Sequence, residues 1–262
     1  MNGVTLERGE AGGLATLWLD RPAVKNAFDE AMIAAMTAAL REVAGDGGVR
    51  VLVLRGRGGT FCAGGDLAWM RRQGAMSQPE NEEDAYALAA MLKALHDLPQ
   101  LSVCCVEGAA MGGGVGLVAA ADVVIAARDA KFRFSEVRLG LTPATISPYV
   151  IEAIGARMAR ALFATAEDFD GAYAEQIGLV QYLTEDAEGF EPLLAHLAAL
   201  ALAAAPGAVR DAKRLVRDVA GRPLGEPLMR ETARRIAARR ADPEGQEGLA
   251  AFLEKRKPRW AQ

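Results

Sequence analysis

The chain has 262 residues, of which 51% are hydrophobic, and its formal net charge is −4 with an isoelectric point near 5.4. This length and apolar content suffice for one α/β core with a helical appendage, and the acidic balance argues against a nucleic-acid-binding surface. Basic residues nevertheless cluster at helical spacing among alanines, where they form either a solvated helix face or an anion site. The cluster comprises Arg230, Arg234, Arg235, Arg239 and Arg240.

The cysteines, histidines and apolar runs argue against several other classes of protein. Cys104 and Cys105 are adjacent in an apolar strand pattern, so the three cysteines form no disulfide framework and favour a reducing cytoplasm. His96 and His196 have no ligand-spaced partners, so we expect neither a metal site nor a Ser-His-Asp triad. The first residues show no signal-peptide pattern, and no run reaches the roughly 18 apolar residues that span a bilayer, so we expect no membrane partner.

The first hundred residues alternate between strand and helix patterns. Strands are predicted at 16–19 and 49–54, and a helix between them at 29–43, where apolar residues recur at helical spacing. A second helix is predicted at 82–96. Residues 71–80, before this helix, show no apolar periodicity, which predicts a mobile loop or a poorly ordered link. A variable surface loop is an equally good interpretation.

Two apolar strands lead into glycine-rich turns. The strand at 49–54 precedes Gly64 and Gly65, and a strand at 101–106 precedes Gly112 and Gly113, which open a helix of small residues. A helix N-terminus has free backbone N–H groups, and two such groups on one carbonyl oxygen form an oxyanion hole. Each donor is typically worth roughly 2.7–4 kcal/mol of transition-state stabilisation. The alternative is that the glycines only permit tight turns and close packing.

A lone carboxylate, Glu136, follows Gly116 by twenty residues. Short strands are predicted at 122–127 and 131–134, after the glycine-rich helix and before this residue, and the neighbours of Glu136 in sequence are largely apolar. Such surroundings favour a perturbed pKa and an acid/base role. The alternative is a surface ion pair with Arg133 or Arg138.

Beyond residue 180 the pattern becomes helical. Glycine and proline breakers separate the predicted helices, at 191–205, 207–220, 224–240 and 246–256. We therefore divide the chain into a core, residues 1–199, and a helical C-terminal subdomain, residues 200–262.

Together these motifs resemble the enoyl-CoA hydratase/isomerase (crotonase) superfamily over nearly the whole chain. The resemblance implies an α/β fold, a crotonase-like spiral of ββα units with a C-terminal helical subdomain that serves oligomerisation in a homotrimer or a dimer of trimers. It implies an acyl-CoA substrate, in which coenzyme A is part of the substrate and no separate cofactor is needed.

The resemblance also assigns roles to individual residues. The backbone N–H groups of Gly65 and Gly113 would bind the thioester oxygen, and Glu136 would move protons. Residues 251–258 are similar to the family's C-terminal signature, which would bring an aromatic residue and a lysine to the CoA of a neighbouring subunit. The implied substrate- and CoA-binding residues are Lys25, Ala27, Ala63, Gly64, Asp66, Leu67, Gly112, Phe252 and Lys255.

Within the superfamily, residues 135–150 are similar to bacterial hydratases of methylglutaconyl-CoA or isohexenylglutaconyl-CoA, which act in leucine and acyclic terpene breakdown. Such a substrate carries a second carboxylate, for which Arg133 is a candidate partner. The aspartate nucleophile of the family's aryl-CoA dehalogenases is absent, because Ala144 occupies that position.

One departure of this sequence from the family's pattern concerns the reaction itself. Hydratases of this family carry two glutamates, and Gly116 stands at the position of the first. A hydratase therefore requires Glu136 to serve as both base and acid, or another group or water to substitute. The alternatives are a double-bond isomerase, in which one carboxylate shuttles a proton, and an inactive CoA-binding homologue.

Overall fold

The computed structural model describes residues 3–9 and 12–261. The first residue of the predicted core, 1, and the last residue of the predicted C-terminal subdomain, 262, lie outside the described residues. Its core contains a six-stranded sheet in the order β1-β2-β3-β4-β6-β9 and a three-stranded sheet in the order β5-β7-β8. The strands are β1 (Val4–Arg8), β2 (Gly13–Leu19), β3 (Val49–Gly56), β4 (Leu101–Val106), β5 (Ala109–Met111), β6 (Val123–Ala127), β7 (Lys131–Arg133), β8 (Phe169–Asp170) and β9 (Tyr182–Thr184).

Helices cover the sheets and form the C-terminal part of the described chain. They are α1 (Glu30–Gly45), α2 (Leu67–Gln73), α3 (Gln78–His96), α4 (Gly113–Ala120), α5 (Ser147–Thr165), α6 (Gly171–Gln176), α7 (Phe190–Ala203), α8 (Pro206–Val219), α9 (Glu226–Ala241) and α10 (Pro243–Leu253). The mixed α/β class predicted from the sequence is confirmed.

The elements predicted from the strongest apolar patterns are present in the structure. The strands predicted at 49–54 and 101–106 are β3 and β4, and the helix predicted at 29–43 is α1. Asp29 caps α1 by accepting a hydrogen bond from the backbone N–H of Met32, and the apolar face of the helix is buried.

The prediction for residues 71–80 was wrong. Helix α2 extends to Gln73 and α3 begins at Gln78, so only residues 74–77 lie between the helices. Two local features supply the order that apolar periodicity does not reveal. Ser77 and Glu80 form a capping box for α3, and buried Trp69 donates a hydrogen bond to Asp84 at 3.1 Å.

The sheet order brings the two glycine turns together. β3 and β4 are parallel neighbours, with Val51 opposite Leu101 and Leu54 opposite Cys104. Their carboxyl ends therefore lie at the same edge of the sheet. The turn after β3 leads to α2, and the turn after β4 leads through β5 to the largely buried helix α4.

The C-terminal helices begin within the core. α7 packs against β2, β3 and β6, and it runs through residue 200, so the predicted division between 199 and 200 falls inside this helix. In residues 3–9 and 12–261, no single helix is long and apolar enough to cross a membrane. One pair of helices, residues 187–203 and α8, is long and apolar enough when the two are taken together, but the pair is bent by 103°.

Lys213 attaches α8 to the sheet through a partly buried polar cluster. Its Nζ lies 2.6 Å from a carboxylate oxygen of Asp122 and donates hydrogen bonds to the carbonyl oxygens of Leu98 and Gln100. Asp122 in turn accepts hydrogen bonds from the backbone and hydroxyl of Ser102. Burial lowers the pKa of Lys213, and Asp122 partly offsets this effect.

We expect Lys213→Met to lower the free energy of unfolding by about 2–3 kcal/mol, because Asp122 and two carbonyl groups lose their partner. Urea denaturation measures the loss. Lys93→Met is the matched control: Lys93 pairs with Asp97, but its side chain is 69% exposed, so the loss should stay below about 1 kcal/mol. Equal losses in the two variants would contradict the anchoring role of Lys213.

Candidate active site

Hydrogen bonds join the two glycine turns directly. The backbone N–H of Cys62 donates to the carbonyl oxygen of Ala109 at 2.9 Å, and that of Met111 donates to the carbonyl oxygen of Cys62 at 2.9 Å. Cys62 and Ala110 thereby form a parallel bridge outside the main sheets. The turn that carries Gly65 is thus fixed against the turn that carries Gly113.

A third segment, residues 25–28, joins the same assembly. Ala63 donates a backbone hydrogen bond to Lys25 at 2.9 Å, and Phe28 donates one to Gly64 at 2.7 Å. The buried ring of Phe28 reaches Gly113, because a Cβ on that glycine would lie 3.1 Å from the ring. Phe28 therefore connects the two predicted donors, a role that sequence reasoning missed because nothing local indicates which glycine the ring meets.

The backbone N–H groups of Gly65 and Gly113 remain available to a ligand. Within the described part of the chain, neither group donates a hydrogen bond to a protein acceptor. Gly113 is the first residue of α4, where the N–H lacks an intrahelical partner. An oxyanion hole requires two such donors that meet on one oxygen, and the role of Gly65 and Gly113 in one stays a prediction.

Glu136 lies beside the N-terminus of α4. It opens a short 3-10 helix, Glu136–Leu139, and its Oε1 is 3.3 Å from where a Cβ on Gly112 would stand. Gly112 has φ +50°, so a side chain there would be strained as well as crowded. The glycine lets the carboxylate approach the residue that precedes the Gly113 donor.

The carboxylate of Glu136 is partly buried without a cation. Its Oε2 is enclosed and has no hydrogen-bond partner among the described residues. Burial raises the pKa of Glu136, and its own backbone N–H offsets this only in part. The predicted alternative of a surface ion pair was wrong, because Arg133 pairs with Asp168 and Arg138 donates to the carbonyl oxygen of Ala166 at 2.8 Å.

An isoleucine fills the space beside Gly116. A Cβ on Gly116 would lie 2.3 Å from Cγ2 of Ile146 and 3.6 Å from Cδ1 of Leu92. Gly116 stands one helical turn after Gly112 and donates its N–H to the carbonyl oxygen of Gly112 at 3.3 Å. One side of α4 therefore faces Glu136 at Gly112 and Ile146 at Gly116. Sequence reasoning noticed Gly116 and missed Ile146, which precedes α5.

The remaining predicted binding residues fall into two groups. The first adjoins the glycine turns: Lys25 is exposed, Ala27 is buried, and Leu67 is 76% exposed at the start of α2. Asp66 caps α2 and accepts a hydrogen bond from Arg21 at 3.1 Å. This group comprises Lys25, Ala27, Ala63, Gly64, Asp66, Leu67 and Gly112.

The second group is C-terminal. Phe252 is 79% exposed near the end of α10, and Lys255 follows with φ +54°. α10 packs against α8 and α9. Their contact with a neighbour's CoA stays a prediction.

Cys62 lies between the glycine turns but is no nucleophile. Burial raises the pKa of its thiol to about 12, so the thiolate is scarce at neutral pH. Among residues 3–9 and 12–261, no group of three or more His, Cys, Asp or Glu side chains is placed to hold a metal ion. Glu136 is thus the titratable group that the structure places beside the N-terminus of α4, which carries the Gly113 donor.

Comparison with known proteins identifies similar chains. The family model described as enoyl-CoA hydratase/isomerase matches residues 9–262. The structure of Pseudomonas aeruginosa AtuE has a TM-score of 0.94 and 40% identity, covering 99% of this chain and 100% of that one. An enoyl-CoA hydratase from Shewanella pealeana ATCC 700345 has a TM-score of 0.93 and 37% identity, covering 98% and 96%. The 1,2-epoxyphenylacetyl-CoA isomerase of Escherichia coli K12 is 30% identical, covering 95% of each chain.

Gly116→Ala should lower the free energy of unfolding by about 1–3 kcal/mol, because the new methyl group overlaps Ile146. In an Ile146→Ala background the penalty should shrink without vanishing, because the contact with Cγ2 at 2.3 Å is removed whereas Cβ of residue 146 stays 3.0 Å from the new methyl group. A double-mutant cycle measures the change by denaturation. Gly45→Ala is the control, since a Cβ there meets nothing within 4 Å. A penalty of the same size in the Ile146→Ala background would disprove the proposed contact.

Glu136→Gln should be more stable than the native protein at pH 8, with the difference vanishing near pH 4. The folded-state pKa of Glu136 is raised, so the native protein loses stability as pH rises from the unfolded-state pKa through the folded one. Below both values the carboxyl is protonated in either state, and the variants converge. Thermal unfolding across this pH range tests the sign, with exposed Glu83→Gln as the control.

Proposed function

Because the chain belongs to the enoyl-CoA hydratase/isomerase family, we propose that it adds water across the 2,3 double bond of an enoyl-CoA thioester. The observation that carries this proposal is the partly buried carboxylate of Glu136 beside the Gly112–Gly113 turn, whose enclosed Oε2 has no hydrogen-bond partner among the described residues. A carboxylate held without a cation favours accepting a proton, and the raised pKa keeps that proton available for return.

The proposed reaction uses one carboxylate for both proton transfers. Glu136 accepts a proton from water while the water oxygen bonds to the β-carbon of the substrate. The π electrons of the double bond move to the thioester oxygen, which accepts hydrogen bonds from the N–H groups of Gly65 and Gly113. Glu136 then returns its proton to the α-carbon, and the enolate collapses to the 3-hydroxyacyl thioester.

For the substrate, we propose a branched glutaconyl-CoA, either methylglutaconyl-CoA or isohexenylglutaconyl-CoA, as in leucine or terpene breakdown. The support is the similarity of residues 135–150 to such hydratases. Arg133 is the proposed partner of the distal carboxylate. Its guanidinium group already pairs with Asp168, so the substrate carboxylate would have to displace Asp168 or share the guanidinium group with it. Arg133→Leu should then weaken binding of the acidic substrate more than that of crotonyl-CoA.

Isomerisation is the second candidate. Ile146 and Leu92 make an apolar wall at Gly116, where the first glutamate of the two-glutamate hydratases would project. A single carboxylate beside an apolar wall suits proton transfer between the α- and γ-carbons without water. A similar Escherichia coli protein is named an isomerase.

We also propose a homotrimer or a dimer of trimers in the cytoplasm. The described C-terminal helices and the loops beside them expose large apolar side chains that a neighbouring subunit would cover. They include Leu224 at 95%, Met229 at 66%, Ile236 at 50%, Leu249 at 51%, Phe252 at 79% and Leu253 at 78%. The three cysteines are free and buried, which suits a reducing compartment.

Heavy-oxygen water distinguishes the candidates. The native protein, incubated with 3-methylglutaconyl-CoA or crotonyl-CoA, should yield product with one heavy oxygen, and the faster substrate identifies the acyl group. Glu136→Gln should lower the rate about 10²- to 10⁴-fold, the usual contribution of acid/base catalysis. Glu83→Gln, a neutralised exposed glutamate, should leave the rate unchanged.

Other outcomes reassign the reaction. Deuterium uptake from solvent at the α- or γ-carbon, without oxygen addition, would establish the isomerase. CoA binding with neither reaction, unchanged by Glu136→Gln, would indicate an inactive homologue.

A further inference from the structure

A serine hydroxyl faces the same point as the carboxylate of Glu136. The Oγ of Ser135 lies 3.5 Å from where a Cβ on Gly112 would stand, and Oε1 of Glu136 lies 3.3 Å from that point. Because Gly112 has no side chain, both oxygens face the open side of its Cα. The two polar groups thus border one position next to the Gly113 donor.

The hydroxyl of Ser135 has no capping role. Serine before a helix usually accepts a hydrogen bond from the backbone of the first turn. Ser135 precedes the 3-10 helix Glu136–Leu139, yet its backbone is in the helical region and its side chain makes no capping hydrogen bond. Local structure therefore leaves the hydroxyl available to a ligand.

One turn further along α4, the surroundings are apolar. Ile146 and Leu92 pack where a side chain on Gly116 would project, so a second carboxylate does not fit there without displacing Ile146. A water molecule in a protein interior needs two or more polar partners to hold it. At this site Ser135 and Glu136 supply them, and the Ile146 side does not.

We propose that Ser135 holds the reacting water together with Glu136, and this inference rests on the proposed hydration. The water donates one hydrogen bond to Oε1 of Glu136 and the other to Oγ of Ser135, which turns an oxygen lone pair toward the β-carbon. Glu136 takes the proton it faces, and Ser135 neither gains nor loses one. Ser135 thus substitutes for the positioning role of a second carboxylate, while Glu136 retains the chemistry.

Ser135→Ala should lower kcat for hydration of crotonyl-CoA about tenfold to a hundredfold and leave KM nearly unchanged, because only the orientation of water is lost. Ser135→Thr keeps the hydroxyl and should recover most of the rate. Ser147→Ala is the matched control, since its hydroxyl is used within the protein, donating to the carbonyl oxygen of Ala144 at 2.8 Å.

A second reaction separates positioning of water from damage to the site. Exchange of the α-hydrogens of butyryl-CoA in heavy water needs Glu136 and the two N–H donors but no attacking water. Ser135→Ala should retain this exchange, and Glu136→Gln should lose it. If Ser135→Ala fails to fold, Ser135→Cys provides the same comparison at nearly constant volume.

The outcomes are distinct. Undiminished hydration by Ser135→Ala, or equal losses of hydration and exchange, would overturn the role of Ser135 while leaving the hydratase proposal intact. Absence of oxygen incorporation by the native protein would overturn both.

Discussion

The hydrogen bonds between the two glycine turns are the constraint on which the site depends. They place Cys62 against Ala109 and Met111, and the backbone of Phe28 adds a third segment. Donors in an oxyanion hole act because they are already oriented, so in the proposed role an error in the relative position of Gly65 and Gly113 would weaken both. The parallel pairing of β3 with β4 makes this arrangement possible, since it brings both turns to one edge of the sheet.

Helix α4 then decides what lies beside the substrate position. Two glycines one turn apart remove the side chains that would keep neighbours away. At Gly112 the neighbours are polar, Ser135 and Glu136, whereas at Gly116 the neighbours are apolar, Ile146 and Leu92. The same helix therefore borders a polar half and an apolar half of the site, and the proposed chemistry uses the first.

Partly burying Glu136 with no cation from the described residues beside it costs stability, since the charged form is poorly solvated. The surrounding structure tolerates this cost because the segment is held by other contacts, including Arg138 on the Ala166 carbonyl and Gly112 on the Arg133 carbonyl. The polar cluster around Lys213 stabilises the C-terminal helices through different residues. Substitutions there should affect folding without redirecting the chemistry, which is how a site and its scaffold are told apart.

The sequence alone determined the local elements and the chemical types at the site. Apolar periodicity was enough for β3, β4 and α1, and the glycine turns and Glu136 stood out because few residue types serve those roles. It did not reveal that most of residues 71–80 are helical, which depends on the capping box at Ser77 and on the hydrogen bond of Trp69. Nor did it reveal Ile146, or that Arg133 and Arg138 pair elsewhere. Those facts follow from tertiary structure, because only packing of α5 and the segment before it against α4 decides which side chain fills the space a glycine leaves.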